Sequence, residues 1–341
     1  MSSRRMSSRR VRGLLAGALL AVTTLVGCGG TAATSAVPTS VSAAPVPNID
    51  AKQLHPISEV PTPRLPATVT GADGHRVTVR DDSRIIPLTG SLAEVVFSLN
   101  LGARVVARDV AATFTEAASL PLVTRGHEVS AESVLSLHPS VVLADTDTGP
   151  PEAITQIRNA GVPVVVLPVA VSLADVATRI DDVATALGVP AAGQELSRRT
   201  ETEIAQAQVT VTAGPKLKVA FLYLRGSAGV YLLGGKGSGA DSLIQAAGGV
   251  DVGSAMNLTS FTPLTSEAMI AAAPDVLLLM TDGLASVGGV TGLRRIPGIA
   301  QTPAGRSGHV ITIEDGVLLN FGPRTGEVIS TLAADLRRWQ P

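Results

Sequence analysis

Cysteine and aromatic residues are scarce in this chain, with one cysteine, Cys28, and 2% aromatic residues among 341. If Cys28 is modified, no thiol remains for a disulfide, a zinc–thiolate site or a cysteine nucleophile. Charge is sparse as well, because charged residues make up 16% of the chain and the net charge is −1. No basic stripe interleaved with aromatics is present, so we expect no nucleic-acid partner.

The chain also lacks a hydrophobic run long enough to cross a membrane near its start. The apolar run from Leu14 to Val26 is shorter than the roughly 20 residues that span a bilayer. Arginines precede it, at Arg4, Arg5, Arg9, Arg10 and Arg12, and small residues lead into Cys28. This layout predicts an export signal at residues 1–27 and a lipid on Cys28, which would anchor the protein at the extracytoplasmic face of the cell membrane. A plain signal peptide, or a short helix with a chance cysteine, is the alternative, and the route of export, Sec or Tat, stays open.

Beyond Cys28 the pattern predicts a tether followed by an α/β fold. Residues 28–66 are rich in Ala, Ser, Thr, Val and Pro without a helical or strand period, which is typical of a flexible linker. Two Val/Thr runs around Asp73-Gly74 predict a β-hairpin. Short β-branched runs, Arg104–Ala107 among them, then alternate with helical stretches, which predicts mainly parallel sheets with helices on both faces.

We expect two Rossmann-like lobes, 67–171 and 213–341, joined by a long backbone helix in 172–212. Gly188-Val189-Pro190 would kink this helix or divide it in two. An internal repeat supports the two lobes, because Ser130–Leu143 aligns without a gap on Thr265–Leu278. Each copy has a hydroxyl N-cap, an apolar helix, a proline and a strand. Two such lobes enclose a cleft, where small-molecule ligands bind, and we expect the loops before the repeated helices, 125–129 and 260–264, to line it.

Three residues in these regions carry candidate chemistry. His127 follows a glycine and precedes a repeated helix, so its imidazole lies on a loop. Tyr223 and Arg225 lie two apart at the end of a strand, where their side chains point the same way. A guanidinium beside the phenol favours the phenolate that can ligate ferric iron. The alternatives are a surface or capping histidine and ordinary local packing of the Tyr-x-Arg pair.

From about Thr68 to the C-terminus the chain resembles a known family. The resemblance rests on Cys28 and on the motifs Val77–Ile86, Gly90–Phe97, Ala131-Glu132 with Pro139, Arg225–Tyr231, Gly234–Leu243, Gly248-Gly249 and Gly322-Pro323-Arg324. These are similar to haem-binding lipoproteins of actinobacterial haem ABC importers, the HmuT type within the helix-linked bilobal (TroA/BtuF-like, class III) periplasmic-binding-protein superfamily. The resemblance implies haem as the transported ligand, a permease and an ATPase as partners, and upstream haem-donor proteins as possible suppliers.

The resemblance also implies roles for particular residues. His127 and Tyr223 would be the axial ligands of the haem iron, with Arg225 bonded to the tyrosine. The further candidates for the cleft or the haem propionates are Arg125, Tyr231, Gly237, Ser238 and Phe261, although a Gly-rich turn such as Gly234–Gly239 also serves as a plain strand–helix connection. Glu94 on the first helix and Asp241 near the best-matched Gln245 would dock on the permease, although exposed carboxylates are also ordinary on a solvated helix face.

Two other functions remain open at this stage. The same fold could carry a ferric siderophore or cobalamin, and Arg125, Arg225 and Tyr231 would supply cationic or aromatic groups for a siderophore. A bare-metal site is disfavoured because the five histidines are scattered. A tethered hydrolase is disfavoured because Ser238 lacks the Gly-x-Ser-x-Gly pattern after a strand. We therefore expect a binding protein and not an enzyme.

Overall fold

The structure is a computed structural model that describes residues 52–125, 128–211 and 214–340. The predicted signal peptide, Cys28 and most of the predicted linker lie outside the described residues, and so does His127. In the described part of the chain, no helix is both long and apolar enough to cross a membrane.

The predicted hairpin opens the folded part. Strands β1 (Ala67–Thr70) and β2 (Arg76–Val79) pair antiparallel, with Ala67 opposite Val79. Gly74 in the turn has φ of +80°, a conformation that glycine adopts without a steric penalty. Alternating Val and Thr places Val79 fully in the core, so the local pattern accounts for this element.

The first lobe is built on three parallel strands. After the hairpin its elements are β3 (Ile85–Pro87), α1 (Gly90–Ser98), β4 (Thr124–Arg125), β5 (Glu128–Val129), α2 (Ala131–Ser136), β6 (Val141–Asp145), α3 (Pro151–Asn159) and β7 (Val164–Leu167). The sheet order is β3-β6-β7, and β4 pairs with β5 separately. The strand predicted at 104–107 is wrong, because only Val105 bridges to Ile85. Arg108 instead pairs with the chain around Leu122.

The predicted linking helix is divided in two. Helix α4 (Asp175–Ala186) ends before Gly188, whose φ is +73°, and α5 (Pro190–Val209) begins at a proline. Proline suits the first helical position because it has no N–H to satisfy there. The two helices pack together at Gly193, where an added Cβ would come within 2.5 Å of the Ala184 methyl. Helix α5 then leads into the second lobe.

The second lobe has a mixed six-stranded sheet with helices on both faces. Its elements are β8 (Lys218–Arg225), β9 (Val230–Gly234), α6 (Ala240–Ala246), β10 (Val250–Asp251), α7 (Val252–Ala255), β11 (Phe261–Pro263), α8 (Ser266–Ala272), β12 (Val276–Met280), α9 (Thr281–Ser286), α10 (Gly289–Leu293), α11 (Pro303–Ser307), β13 (Val310–Ile313) and α12 (Thr325–Arg337). The order is β11-β9-β8-β12-β13, with β10 beside the start of β8. Strands β8, β10, β12 and β13 are parallel, whereas β9 and β11 run antiparallel to their neighbours.

The internal repeat is reproduced in detail. The hydroxyls of Ser130 and Thr265 each accept a hydrogen bond from the backbone N–H three residues on, at 3.2 and 3.1 Å. At the other end of the two helices, His138 and Ala273 occupy the same repeat position and have φ of +45° and +43°. Few non-glycine residues adopt this conformation. Both lobes therefore stop the repeated helix and begin the next strand in the same way.

Candidate functional site

Tyr223 lies near the carboxyl end of β8, on the sheet face that carries Phe221 and Phe261. The register pairs Phe261 with Gly234 of the neighbouring β9, and the Phe261 ring meets the Tyr223 ring edge-on with centroids 5.7 Å apart. Phe221 packs edge-on against Phe261 at 6.2 Å. Tyr223 and Phe261 are half-buried, whereas Phe221 is fully buried. The buried Phe221 thus supports a partly open aromatic pair at the end of the sheet.

Arg225 covers the other side of this tyrosine. Its guanidinium carbon is 4.6 Å from the centroid of the Tyr223 ring, a cation–π distance. The two-residue spacing therefore does place the guanidinium beside the phenol, and the contact is with the ring face. One Arg225 nitrogen donates to the Leu224 carbonyl at 2.9 Å, and the other donates to Asp315 Oδ2 at 2.8 Å.

Asp315 was not found by sequence reasoning, although it holds Arg225 in place. It follows β13 at the carboxyl end of the sheet, and its Oδ1 accepts a hydrogen bond from the backbone N–H of Asp282 at 2.8 Å. Burial raises the pKa of the Asp315 carboxyl, opposed by that N–H and by Arg225. The available signal was an acidic pair, Glu314-Asp315, directly after a strand on the ligand-binding edge of the sheet.

The histidine side of the predicted site is described only through its neighbours. His127 lies outside the described residues, so its role as an iron ligand stays a prediction. Arg125 and Glu128, on either side of it, are exposed and face each other as cross-strand partners in β4 and β5. Val129 is anchored by its N–H, which donates to the Gly149 carbonyl at 2.8 Å.

Tyr231 does not join the Tyr223 cluster, and its role as a cleft residue stays a prediction. The β8–β9 register pairs Tyr231 with Leu224 and Leu232 with Tyr223. Because neighbouring strand residues point to opposite faces, the two tyrosines lie on opposite faces of the sheet. Tyr231 instead lines a separate cavity of about 570 Å³, together with Leu264, Arg295 and other residues.

The N–H groups of the Gly-rich turn already donate to acceptors within the protein. This corrects the assignment of Gly237 and Ser238 to a haem propionate. The N–H groups of Gly237 and Gly239 donate to the two oxygens of Asp241 at 2.9 and 3.1 Å. The Ser238 N–H donates to the Gly235 carbonyl, and the Ser238 side chain is only 5% exposed. Asp241 thus holds the turn closed through both of its oxygens, and its role in docking on the permease stays a prediction.

Glu94 is the clearest correction, because it is buried and cannot be an exposed docking residue. Its residue exposure is 1%, and its carboxylate is held by the second lobe. Arg324 donates from its guanidinium at 2.7 Å and from its backbone N–H at 3.0 Å, and the Asn320 amide donates at 2.6 Å. Sequence reasoning could not see these partners, which lie more than 220 positions further along the chain.

The arrangement at Tyr223 offers an oxygen ligand, a cation and apolar surface in one place. The sulfur of Met280 lies 3.8 Å from an Arg225 nitrogen and adds to the soft, polarizable surroundings. Among the described residues, no group of three or more His, Cys, Asp or Glu side chains could hold a bare metal ion. A phenol beside a guanidinium and an edge-on phenylalanine suits a large, flat ligand that brings its own metal.

Comparisons with known proteins agree with this architecture. Residues 85–316 match the family model described as periplasmic binding protein. A crystal structure of the haem-binding protein HmuT is 37% identical, covers 84% of this chain and 95% of its own, and has a TM-score of 0.81. Structures of variants of HmuT have a histidine, a tyrosine or an arginine replaced by alanine.

Two further relatives extend the comparison. The haem-binding protein RhuT from Roseiflexus sp. RS-1 is 41% identical, covers 76% of this chain and 99% of its own, and has a TM-score of 0.73. An uncharacterized ABC transporter substrate-binding lipoprotein of Bacillus subtilis (strain 168), YvrC, is 23% identical over 329 residues, covering 95% of this chain and 96% of its own. The chain therefore belongs to the periplasmic binding protein family and is a substrate-binding protein of the kind that serves ABC transporters.

Proposed function

We propose that this protein captures haem between its two lobes and delivers it to an ABC importer for iron acquisition. The observation that carries the proposal is the Tyr223 phenol at the end of β8, with the Arg225 guanidinium over its ring face and Phe261 against its edge. A phenolate oxygen is an established type of axial ligand to haem iron. The proposal assigns the axial positions to Tyr223 and His127, with Arg225 beside the tyrosine.

The surroundings of Tyr223 suit haem in other respects. Phe261 and Met280 offer apolar and polarizable surface to a macrocycle, and such surface lines most small-molecule sites. Arg225 supplies a positive charge beside the phenol, which stabilises the phenolate form. The exposed side chain of Arg125, two residues before His127, has no hydrogen-bond or ion-pair partner among the described residues, and Arg125 is our candidate for a propionate.

The comparisons support the same residues. In the HmuT variants, the substituted tyrosine and arginine are two positions apart, as Tyr223 and Arg225 are. The substituted histidine precedes that tyrosine by nearly the same length of chain that separates His127 from Tyr223. We infer that the three residues correspond, and that haem binding in HmuT and RhuT extends to this protein.

A ferric siderophore is the runner-up, and the structure weakens its case. Of the three groups expected to recognise a siderophore, Arg225 is paired with Asp315, and Tyr231 lies on the opposite sheet face from Tyr223. Only Arg125 remains available.

The placement of the protein follows from the predicted lipid. A lipid on Cys28 and the linker 28–66 would hold the two lobes at the extracytoplasmic face of the membrane. A tether of this kind raises the effective concentration of the binding protein near its permease. The permease and ATPase of a haem importer are the partners that this placement requires.

The test is a hemin titration of the lipid-free mature chain carrying Cys28→Ser, followed by absorbance. We expect a shifted Soret band that is lost in Tyr223→Ala and altered in His127→Ala. Tyr231→Phe is the matched control and should leave the spectrum unchanged, because Tyr231 faces the other side of the sheet. An unshifted wild-type spectrum, together with tight binding of a ferric siderophore, would replace haem by the runner-up.

A further inference from the structure

We propose that Asp315, by binding Arg225, competes with Tyr223 for this cation and thereby weakens the bond between Tyr223 and the haem iron, so that bound haem can be released. This inference rests on the proposed function, since it concerns the same cleft. It assigns to Asp315 a positioning role that acts through Arg225, without contact to the ligand.

The geometry shows what the restraint consists of. The Arg225 guanidinium lies over the Tyr223 ring, with hydrogen bonds to the Asp315 carboxylate and the Leu224 carbonyl. Asp315 is itself fixed by the backbone N–H of Asp282 at the start of α9. Both terminal nitrogens of the guanidinium therefore have acceptors. Neither of these two hydrogen bonds goes to the phenol oxygen of Tyr223.

The charges explain why this restraint opposes iron binding. A phenolate bound to ferric iron is stabilised by a nearby guanidinium and destabilised by a nearby carboxylate. Asp315 engages the guanidinium at 2.8 Å, where the side chains of Arg225 and Asp315 are 30% and 19% exposed, so bulk solvent screens the pair only in part. Asp315 and the Tyr223 phenolate therefore compete for one cation. Whatever strengthens the Asp315–Arg225 pair weakens the support for the iron–phenolate bond.

Asp315 also lies where the two lobes meet. Its neighbour Gly316 packs against the first lobe so closely that an added Cβ would lie 2.3 Å from the Ala111 carbonyl oxygen and 2.8 Å from the Thr113 hydroxyl. Further along the same connection, Arg324 binds Glu94 of the first lobe. A displacement of the first lobe would therefore move the segment that carries Asp315. The position of the lobes is in this way coupled to the strength of the bond between Tyr223 and the haem iron.

The first experiment needs no haem. Because the chain has two tyrosines, 3-fluorotyrosine labelling should give two ¹⁹F resonances, which Tyr231→Phe assigns. We expect Asp315→Asn and Arg225→Gln each to shift the Tyr223 resonance and to leave that of Tyr231 in place. Glu201→Gln is the control, since it removes an exposed carboxylate on α5 that takes no part in the Asp315–Arg225 arrangement, and it should shift neither. An unmoved Tyr223 resonance in Asp315→Asn would overturn the restraint.

The second experiment measures haem release to excess apomyoglobin. We expect Asp315→Asn to release haem several-fold more slowly than wild type, Asp315→Glu to restore the wild-type rate, and Arg225→Gln to release it faster. If Asp315→Asn released haem as fast as wild type, or faster, the competition would be refuted. If the wild type bound no haem, the proposed function would fail, and the ¹⁹F result would still decide whether Asp315 positions Arg225.

Discussion

Glu94 of helix α1 in the first lobe and Arg324, just before helix α12 in the second lobe, form a buried ion pair, with Oε2 and Nη2 2.7 Å apart. The two side chains are 1% and 4% exposed. This pair and the hydrogen bond from Asn320 hold the two lobes together through residues that lie far apart in the sequence. The acidic residue on the first helix therefore serves the internal interface and not the outer surface.

Breaking this pair should destabilise the protein strongly. Replacing one partner of a buried pair leaves the other charge uncompensated, at a cost of about 3–5 kcal/mol. We expect Glu94→Gln to lower the free energy of unfolding by an amount in that range, measured by urea denaturation. Glu201→Gln on the exposed side of α5 is the control and should change it by less than about 0.5 kcal/mol. If Glu94→Gln left the free energy of unfolding unchanged and abolished haem delivery, the structural role would be wrong and docking on the permease would be supported.

Asp335 on α12 makes stability depend on pH. Its side chain is 1% exposed and lies in the last turn of the helix, where a negative charge is unfavourable. Burial raises the pKa of its carboxyl above 3.8, only partly offset by Arg338. A raised pKa gives stability that is present below the unfolded pKa and lost as pH rises through the folded pKa.

Asp335→Asn should therefore be more stable than wild type at neutral pH and equal to it in acid. We expect a gain of about 1 kcal/mol at pH 7 that fades as the pH falls through the raised pKa of this carboxyl, measured by denaturant unfolding at pH 7 and at a pH below the ordinary pKa of an aspartate. A gain of the same size at both pH values would show that the effect does not come from the buried carboxylate.

Asp241 should act on the stability of the second lobe through the Gly-rich turn. Asp241→Ala removes both acceptors for the Gly237 and Gly239 N–H groups, and hydrogen bonds to a charged group contribute about 1.5–3 kcal/mol each. We expect a loss in this range or larger by thermal unfolding, whereas Gln245→Ala, an exposed change on the same helix, should leave stability nearly unchanged. Full stability in Asp241→Ala with impaired haem uptake would instead support permease docking.

Phe261 should contribute to haem affinity by supporting Tyr223. An aromatic pair at the observed edge-on distance contributes about 0.5–1.5 kcal/mol, so Phe261→Ala should weaken hemin binding about two- to tenfold. Phe261→Leu, which keeps apolar bulk, should lose less. Hemin titration checks this, and equal affinities for wild type and Phe261→Ala would show that the ring contact with Tyr223 does not matter for binding.

The parts of the fold that local chemistry determines could be predicted from the sequence. The hairpin at Asp73-Gly74, the capped repeat helices and the break at Pro190 each depend on residues within a few positions of one another. The strand at 104–107 was wrong because only Val105 of that run bridges to Ile85, and the next pairing along the chain joins Arg108 to Leu122.

The candidate site was predictable only as far as local spacing reaches. Tyr223 and Arg225 are neighbours on one strand, so their contact follows from strand geometry. Asp315 contacts Arg225 across 90 positions, and Glu94 contacts Arg324 across 230, which no periodicity reveals. Asp241 was within reach, because an aspartate four residues after Gly237 can accept from the turn's own N–H groups.

The central claim is that Tyr223 ligates the haem iron, and resonance Raman spectra of the hemin complexes test it most directly. An iron–phenolate stretching band should appear in wild type and in Tyr231→Phe, and it should be absent from Tyr223→Phe, which differs from wild type by one oxygen atom. A band that persists in Tyr223→Phe, or a wild-type complex without one, would contradict the account.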